Sequence, residues 1–450
     1  MGVPISAFSA LNSQHWPFPL SALPRPVYLV GGIVRDALLG RQGDYLDLDF
    51  VVPENAIELA RHIARSHQAG FVVLDADRQI ARVVFPHATV DFALQEGSSL
   101  EADLRRRDFT VNAMAYNPHS HELVDPLGGH LDLQRRCLRM VSAHNLAADP
   151  LRLLRAYRQS AQLNFQIEAA TQACIARLGG LITQVAAERV QSELSYLFHH
   201  PQGTSCLVGA WQAGLLSSWF PAITPLHIAR LVAIDPLVSA LAQRWTNLPV
   251  VLQYPLKQKE TATKPEGLGR SLWGFLRLCI LLDSHPDQAE NTLRTLKASR
   301  WEMRSAALLW RLLPQVQRPR LTIREQYFLY KEAQDLWPAL MLLAIVCRTE
   351  PTLSLSALPT LCLDRMMAEL EQGTIVEGLD QFFDPHNLTA HPRPLVTGRE
   401  IMQALNLPSG PQIGEILTEI QLAQAAGEIQ SLEAALAFAR QWLKSHAQGA

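Results

Sequence analysis

Asp47 and Asp49 stand two residues apart in Leu46-Asp47-Leu48-Asp49-Phe50, an alternation of acidic and apolar residues that reads as a strand. Residues two apart on a strand share a face, so both carboxylates point one way while Leu48 and Phe50 turn to a core. Such a pair supplies the hard oxygen donors that Mg²⁺ takes. Two metals held roughly 3.5–4 Å apart activate an attacking hydroxyl and stabilise a leaving pyrophosphate. Upstream, the apolar run Tyr28-Leu29-Val30 ends at Gly31-Gly32, and Ile33 to Leu39 has helical spacing closed by Gly40. Glycines at a helix start let backbone N–H groups approach an anion closely, and the helix dipole favours negative charge there. Gly32 and Arg35, in the first turn, are therefore candidates to cradle phosphate, the guanidinium bidentately. Alone, a glycine pair is an ordinary turn and two strand-edge aspartates are ordinary solvated residues. Together, in order on one unit, they point to metal-dependent phosphoryl or nucleotidyl transfer.

Two further clusters follow. The first is Arg105-Arg106-Arg107-Asp108-Phe109-Thr110-Val111-Asn112. On a helix only one or two of its three arginines share a face, so the run is not one binding patch, and a solvated charged face would explain it equally. The second opens at Asp149-Pro150, which reads as an N-cap with proline at the first helical position. Arg152, Arg155 and Arg158 then recur every three residues as a slowly drifting stripe, leaving Leu151, Leu153, Leu154 and Ala156 to pack elsewhere. The regular spacing speaks against three merely solvated arginines. Asp91, on a later strand-like run, is read as a solvated strand residue rather than a third metal ligand.

The elements that must position these groups are legible in outline. Ala56 to Gln68 is an amphipathic helix, and Phe71–Leu74, Ile80–Phe85 and Thr89–Leu94 are strand-like, the second alternating around Arg82. Leu123 to Gly129 reads as strand then turn. A small mixed sheet with helices on one face accommodates them, behind a loosely held lead-in over residues 1–26. From Asn145 the period turns helical and does not return; Glu188 to Phe198 is expected to pack against the arginine-bearing helix. Gln253 to Arg270 reads as an exposed loop, and Asp384 to Thr397, with three prolines, as a linker. The expected division is a head over 1–140, a helical neck over 141–200, a helical body over 201–384 and a helical tail over 385–450.

Bulk properties exclude several classes. A chain of 450 residues is too long for one core, and 48% hydrophobic with 18% charged residues is an ordinary globular composition. A net charge of −2 gives no global nucleic-acid signal, so any basic surface must be local. Every lysine lies at or beyond Lys257, so the fixed positive charges of the first half are all arginine, which suits bidentate phosphate contacts. The six cysteines form no CxxC pair, which argues against zinc and against a disulfide framework. No apolar run approaches 18 residues and no leader pattern opens the chain, so a cytoplasmic protein without membrane association is expected. The helical part has no His-Asp pair at metal-site spacing, so no phosphohydrolase module is expected.

At these residues the sequence resembles the class II tRNA nucleotidyltransferase and bacterial poly(A) polymerase family. LVGGIVRDALLG with the downstream DLD resembles the metal-binding motif of the polymerase-β-type palm. RRDFTVNAM is similar to the motif for ribose and triphosphate recognition, which implies that role for Arg107, Asp108 and Asn112. DPLRLLRAYR resembles the motif that reads the incoming base, implying that Asp149 and Arg152 act as a protein template with Arg155 and Arg158 near the phosphates. The resemblance spans roughly the first 200 residues and rests on three motifs in order. The terminal segment LVTGREIMQALNLPSGPQIGEIL is similar to the family's tRNA-contacting tail. The resemblance implies an α+β fold, a polymerase-β-like palm followed by all-helical neck, body and tail. It also implies a Mg²⁺-dependent transfer to tRNA from CTP or ATP. A carboxylate accepts from the amino group of cytosine or adenine and a guanidinium donates to a ring nitrogen or carbonyl, whereas guanine and uracil leave those side chains unpaired.

Three departures from the family pattern bear on the product. Ala148 replaces a usual glutamate before Asp149, removing a support for Arg152. The stretch from Arg41 to Asp47 is long, implying a looped-out turn. Only Gln95–Ser99 join the last strand to Leu100, where members that add CCA or A carry a longer segment. The short connection resembles CC-adding members and implies a separate A-adding partner. Full CCA addition, A addition and poly(A) synthesis are the competing activities, and an RNA-binding scaffold with an inactive palm is the non-enzymatic alternative.

Overall fold

The computed structural model describes residues 10–41, 43, 45–254, 271–348 and 373–446. The loop expected at Gln253–Arg270 therefore falls almost wholly outside the described residues, as do Gln42 and Asp44 of the long turn. Two compact units are formed: residues 1–193 with 209–215, and residues 194–208 with 216–450.

The first unit is built on a seven-stranded mixed sheet. Its strands are β1 (Tyr28–Val30), β2 (Leu46–Val52), β3 (Gly70–Asp75), β4 (Ile80–Phe85), β5 (Ala88–Leu94), β6 (Ala115–Asn117) and β7 (Glu122–Val124). Their order is β3-β4-β5-β2-β1-β6-β7. Only β2 and β5 run parallel, with Asp47 beside Thr89 and Asp49 beside Asp91; the other pairs are antiparallel. Period-two alternation in β2 sends Leu48, Phe50 and Val52 to one face and Asp47, Asp49 and Val51 to the other.

The Phe50 face is closed by α2 (Ala56–Ser66), which buries Ala56, Ala60, Ile63 and Ala64. Phe50 stacks on Phe92 at 5.3 Å, and Trp16 and Phe18 pack around them. That corrects the expectation of a loose lead-in. Leu11, Trp16, Phe18 and Leu23 are buried, because the aromatic side chains cap a sheet face that would otherwise meet water. Residues 1–9 lie outside the described residues. The opposite face is covered too: Leu104 of α3 (Leu100–Arg105) packs with Val30, Val51, Ala113 and Ala115, so helices are not confined to one side.

Beyond the sheet come α4 (Gly129–Gln134), the short strand β8 (Cys137–Leu138), α5 (Ala143–Ala148) and α6 (Leu151–Leu163). A two-residue strand, β9 (Gln166–Ile167), pairs parallel with β8, so extended structure returns once after Asn145. Helices α7 (Ala169–Leu178) and α8 (Ala187–His199) follow, and the unit boundary falls within α8.

The second unit is helical throughout its described residues. A buried helix, Trp337–Arg348, shows no exposed residue from Trp337 to Val346. Arg277, 1% exposed, donates to the carbonyls of Phe198 and His200 and pairs with Asp235, satisfying the end of α8 from inside the unit. Val396, Ile401, Ile413, Ile416, Ile420 and Ala439 form a small core of their own near the C-terminus.

Candidate active site

Gly31 holds the site together. Its φ of +75° suits glycine, and a Cβ there would meet Arg107 Nη1 at 3.3 Å and Asp49 Oδ2 at 3.8 Å. The glycine turn, the carboxylate strand and the second motif thus converge on one point, although they are distant in sequence. The first helix, α1, spans Gly32–Leu38.

Asp47 is exposed and accepts a hydrogen bond from Thr89 Oγ1; Asp49 is half-buried beside it. Burial, then the neighbouring charges of Asp47 and Asp91, push the Asp49 carboxyl up to about 6. Asp91 is not the solvated residue expected. Arg82 grips it bidentately, Nε and Nη2 each at 2.7 Å, because the β4–β5 register sets the two directly opposite. The pairing occupies both Asp91 oxygens, which leaves Asp47 and Asp49 as the carboxylates open for ligation. Among the described residues no group of three or more His, Cys, Asp or Glu is arranged to hold a metal ion. Two oxygen donors, one of them with its carboxyl pushed up by burial and then by the other's charge, do fit a divalent cation completed by substrate oxygens.

Arg35 is 6% exposed and already engaged: Nε and Nη2 donate to Asp36 at 2.9 and 2.8 Å, and Nη1 donates to Asn112 Oδ1 at 2.7 Å. Asn112 Nδ2 in turn donates to Asp108 Oδ1 and to Gln159 Oε1, both at 2.9 Å. Asp108 Oδ2 faces Arg155 Nε at 3.0 Å. A buried polar chain therefore runs from α1 through the Thr110–Asn112 turn to α6. Arg35 sits chiefly as a strut in it, with only its remaining N–H bonds free to face a phosphate.

Arg107 pairs with Asp103 at 3.2 Å, and Arg106 shares the same fully buried carboxylate at 3.0 Å. Asp103 also accepts from the Glu96 N–H at 3.0 Å, while Arg105 turns away to Glu101. Asn145 Nδ2 donates to the Arg105 and Arg107 carbonyls, each at 2.8 Å, fixing the backbone beneath them.

Asp149 is not an N-cap. It follows α5 and precedes Pro150, the residue in the cap position of α6, and its carboxylate lies 3.0 Å from Arg189 Nη2 and 3.9 Å from Arg152 Nε. Arg152 Nη1 donates to the carbonyls of Arg106 and Asn145 at 2.9 and 3.1 Å, so backbone oxygens hold the guanidinium where Ala148 offers no carboxylate. Burial lowers its pKa, opposed by Asp108 and Asp149. Arg158 pairs with Glu193 of α8 and donates to Gln162.

These residues line a cleft of about 450 Å³ that carries seven arginines against three aspartates, including Gly31, Gly32, Asp49, Arg107 and Asp149. A second cleft of about 720 Å³ adjoins it, sharing Gly32, Arg35, Asp49 and Gln162 and adding Asp47. All eleven expected site residues lie on the two clefts. Asp103, Asn145 and Gln159 were not anticipated; each is a buried polar residue whose partners lie far away in sequence or on the opposite side of a turn.

The family model described as the Poly A polymerase head domain matches residues 27–96 and 87–139. That described as the probable RNA and SrmB-binding site of polymerase A matches residues 164–226. The CC-adding tRNA nucleotidyltransferase of Synechocystis sp. is 42% identical over 98% of this chain and 99% of its own length. The A-adding tRNA nucleotidyltransferase of Deinococcus radiodurans is 32% identical over 94% and 97%. Among solved structures, the Thermotoga maritima CCA-adding enzyme complexed with tRNA shares the fold. It is 21% identical, with a TM-score of 0.67 over 93% of this chain and 91% of that one.

Proposed function

Since the chain belongs to the tRNA nucleotidyltransferase family, we propose that it extends the 3′ end of tRNA with nucleotides from CTP, and that its product is CC. The observation that carries the reading is the meeting of Gly31, Asp49 and Arg107 between an arginine-rich cleft and a second cleft beside the carboxylates. Support for CC as the product comes from the five-residue Gln95–Ser99 connection and from the CC-adding relative at 42% identity.

In this reading the triphosphate lies among Gly32, Arg107, Arg155 and Arg158, with the remaining donors of Arg35 facing it. Asp108 and Asn112 hold the ribose side of the pocket and orient Arg155. Asp149 and Arg152 read the base edge: a carboxylate that accepts from an exocyclic amino group and a guanidinium that donates to the ring suit cytosine and adenine and leave guanine and uracil mispaired. The 3′ hydroxyl of the RNA attacks the α-phosphate; the new P–O bond forms as the bond to pyrophosphate breaks. Asp47 and Asp49 would hold Mg²⁺, which when bound activates the hydroxyl and stabilises the departing pyrophosphate. The neck, body and tail over 141–450 would hold the tRNA, and a separate A-adding enzyme would finish the end. A cytoplasmic setting belongs to the same proposal; among the described residues no helix is long and apolar enough to cross a membrane.

The test is incorporation of labelled CMP into tRNA lacking its CCA end. The wild type should incorporate it only with Mg²⁺, and Asp47→Ala should lose at least 10³-fold in rate, on the order expected for a primary metal ligand. Asp47 is exposed and its charge repels Asp49, so the variant's thermal melt should not fall below the wild-type value. Undiminished transfer by Asp47→Ala would remove this site from the mechanism.

A further inference from the structure

The two clefts differ in chemistry, and the difference assigns their occupants. The first presents seven arginines. Among the described residues the second is lined by two, Arg35, which it shares with the first, and Arg41, which donates to the carbonyls of Gln162 and Leu163 at 3.2 and 3.3 Å. With Asp36, Asp47 and Asp49 on its wall, the second cleft repels a triphosphate. It instead suits an uncharged nucleoside moiety that brings a hydroxyl up to the carboxylates.

In-line displacement needs the nucleophile and the leaving group on opposite sides of the reacting phosphorus. With the triphosphate on one side of Asp49, the acceptor strand must enter from the other. The second cleft is lined by Tyr45, 50% exposed and two residues before Asp47, and by His87 in the turn between β4 and β5. Half-exposed on the wall of this cleft, the Tyr45 side chain is open to a base laid against it. A single-stranded RNA end has unstacked bases and binds chiefly by stacking on such rings, whatever the base.

We propose that Tyr45 is the stacking platform for the terminal base of the acceptor RNA, with the His87 imidazole contacting that nucleotide's ribose. Tyr45 is thus a positioning residue: it does not touch the reacting atoms but sets the approach of the 3′ hydroxyl. Sequence-tolerant stacking suits an enzyme whose acceptor ends first in any base and then in C. The inference rests on the tRNA-extending reading above.

Steady-state kinetics with the full chain separate the two clefts. Tyr45→Ala should raise KM for tRNA lacking CCA roughly 10-fold, the loss expected for one stacked base, and leave KM for CTP within about twofold. Tyr45→Phe, which keeps the ring, should recover most of the loss. An unchanged KM for tRNA, or an equal rise in both KM values, would overturn the assignment. A second measurement does not need turnover: tRNA lacking CCA with 4-thiouridine as its last nucleotide should photo-crosslink to the peptide carrying Tyr45 or to that carrying His87. Crosslinking without any extension by the wild type would preserve the platform and sink the enzymatic reading. Extension without crosslinking at either peptide would do the reverse.

Discussion

At the residue scale, Asp49 is the pivot. Its carboxyl titrates near 6 rather than the ordinary 3.8, chiefly because it is half-buried and then because Asp47 and Asp91 are close. A raised carboxyl pKa means that the ionised form destabilises the metal-free fold above pH 6, and that the deficit disappears as pH falls below about 4. In EDTA at pH 8, Asp49→Asn should therefore be more stable than wild type by roughly 2–3 kcal/mol, with the difference lost at pH 4. Thermal melts at the two pH values read this directly. Equal melting temperatures at pH 8 would show that the site is not electrostatically strained. The same residue shows what the sequence revealed and what it hid. Leu48 and Phe50 betray the face of the aspartates through period-two alternation alone. The Arg82–Asp91 pair was also within reach, since a tight turn at Pro86-His87 forces Phe85 opposite Ala88 and so Arg82 opposite Asp91. That register is what keeps Asp91 from being a solvated strand residue.

At the element scale, α6 is the helix to which the proposal assigns specificity, and its placement depends on groups that no local pattern reports. Arg35, Asn112 and Gln159 tie α1 to α6 across 77 and 47 residues of sequence. Asn145 fixes the arginine run from 38 and 40 residues away. Periodicity finds helices; it does not find which buried amide answers which carbonyl. The same limit explains Asp149. Its position before a proline reads as a cap, yet the break between α5 and α6 leaves its carboxylate facing Arg189 and Arg152. A carboxylate kept free of capping is available for a base edge. Asp149→Ala should then relax selection, raising GTP or UTP incorporation relative to CTP by 10-fold or more, as expected when a hydrogen-bonding discriminator is lost. Unaltered CTP preference, measured by competition among the four triphosphates, would take the template role away from this junction.

At the scale of the whole molecule, the seven-stranded head and the helical second unit divide along α8, and the chemistry described lies wholly in the first. The helical period after Asn145 predicted the character of the second unit, because long amphipathic and apolar helices announce themselves. The β8–β9 pair was missed because two residues carry no period. In the proposed reading, what the molecule makes depends on whether the pocket of Asp149 and Arg152 can be re-formed for a second kind of base once two C have been added. The Gln95–Ser99 connection, five residues with Ser99 capping α3, leaves little chain to drive such a change. The most direct test is primer extension on tRNA lacking CCA and on tRNA ending in CC, each with CTP, ATP or both. The account predicts two C and then a stop on the first, and no A on the second. Completion to CCA, addition of A to the CC end, or a long A tail would contradict it.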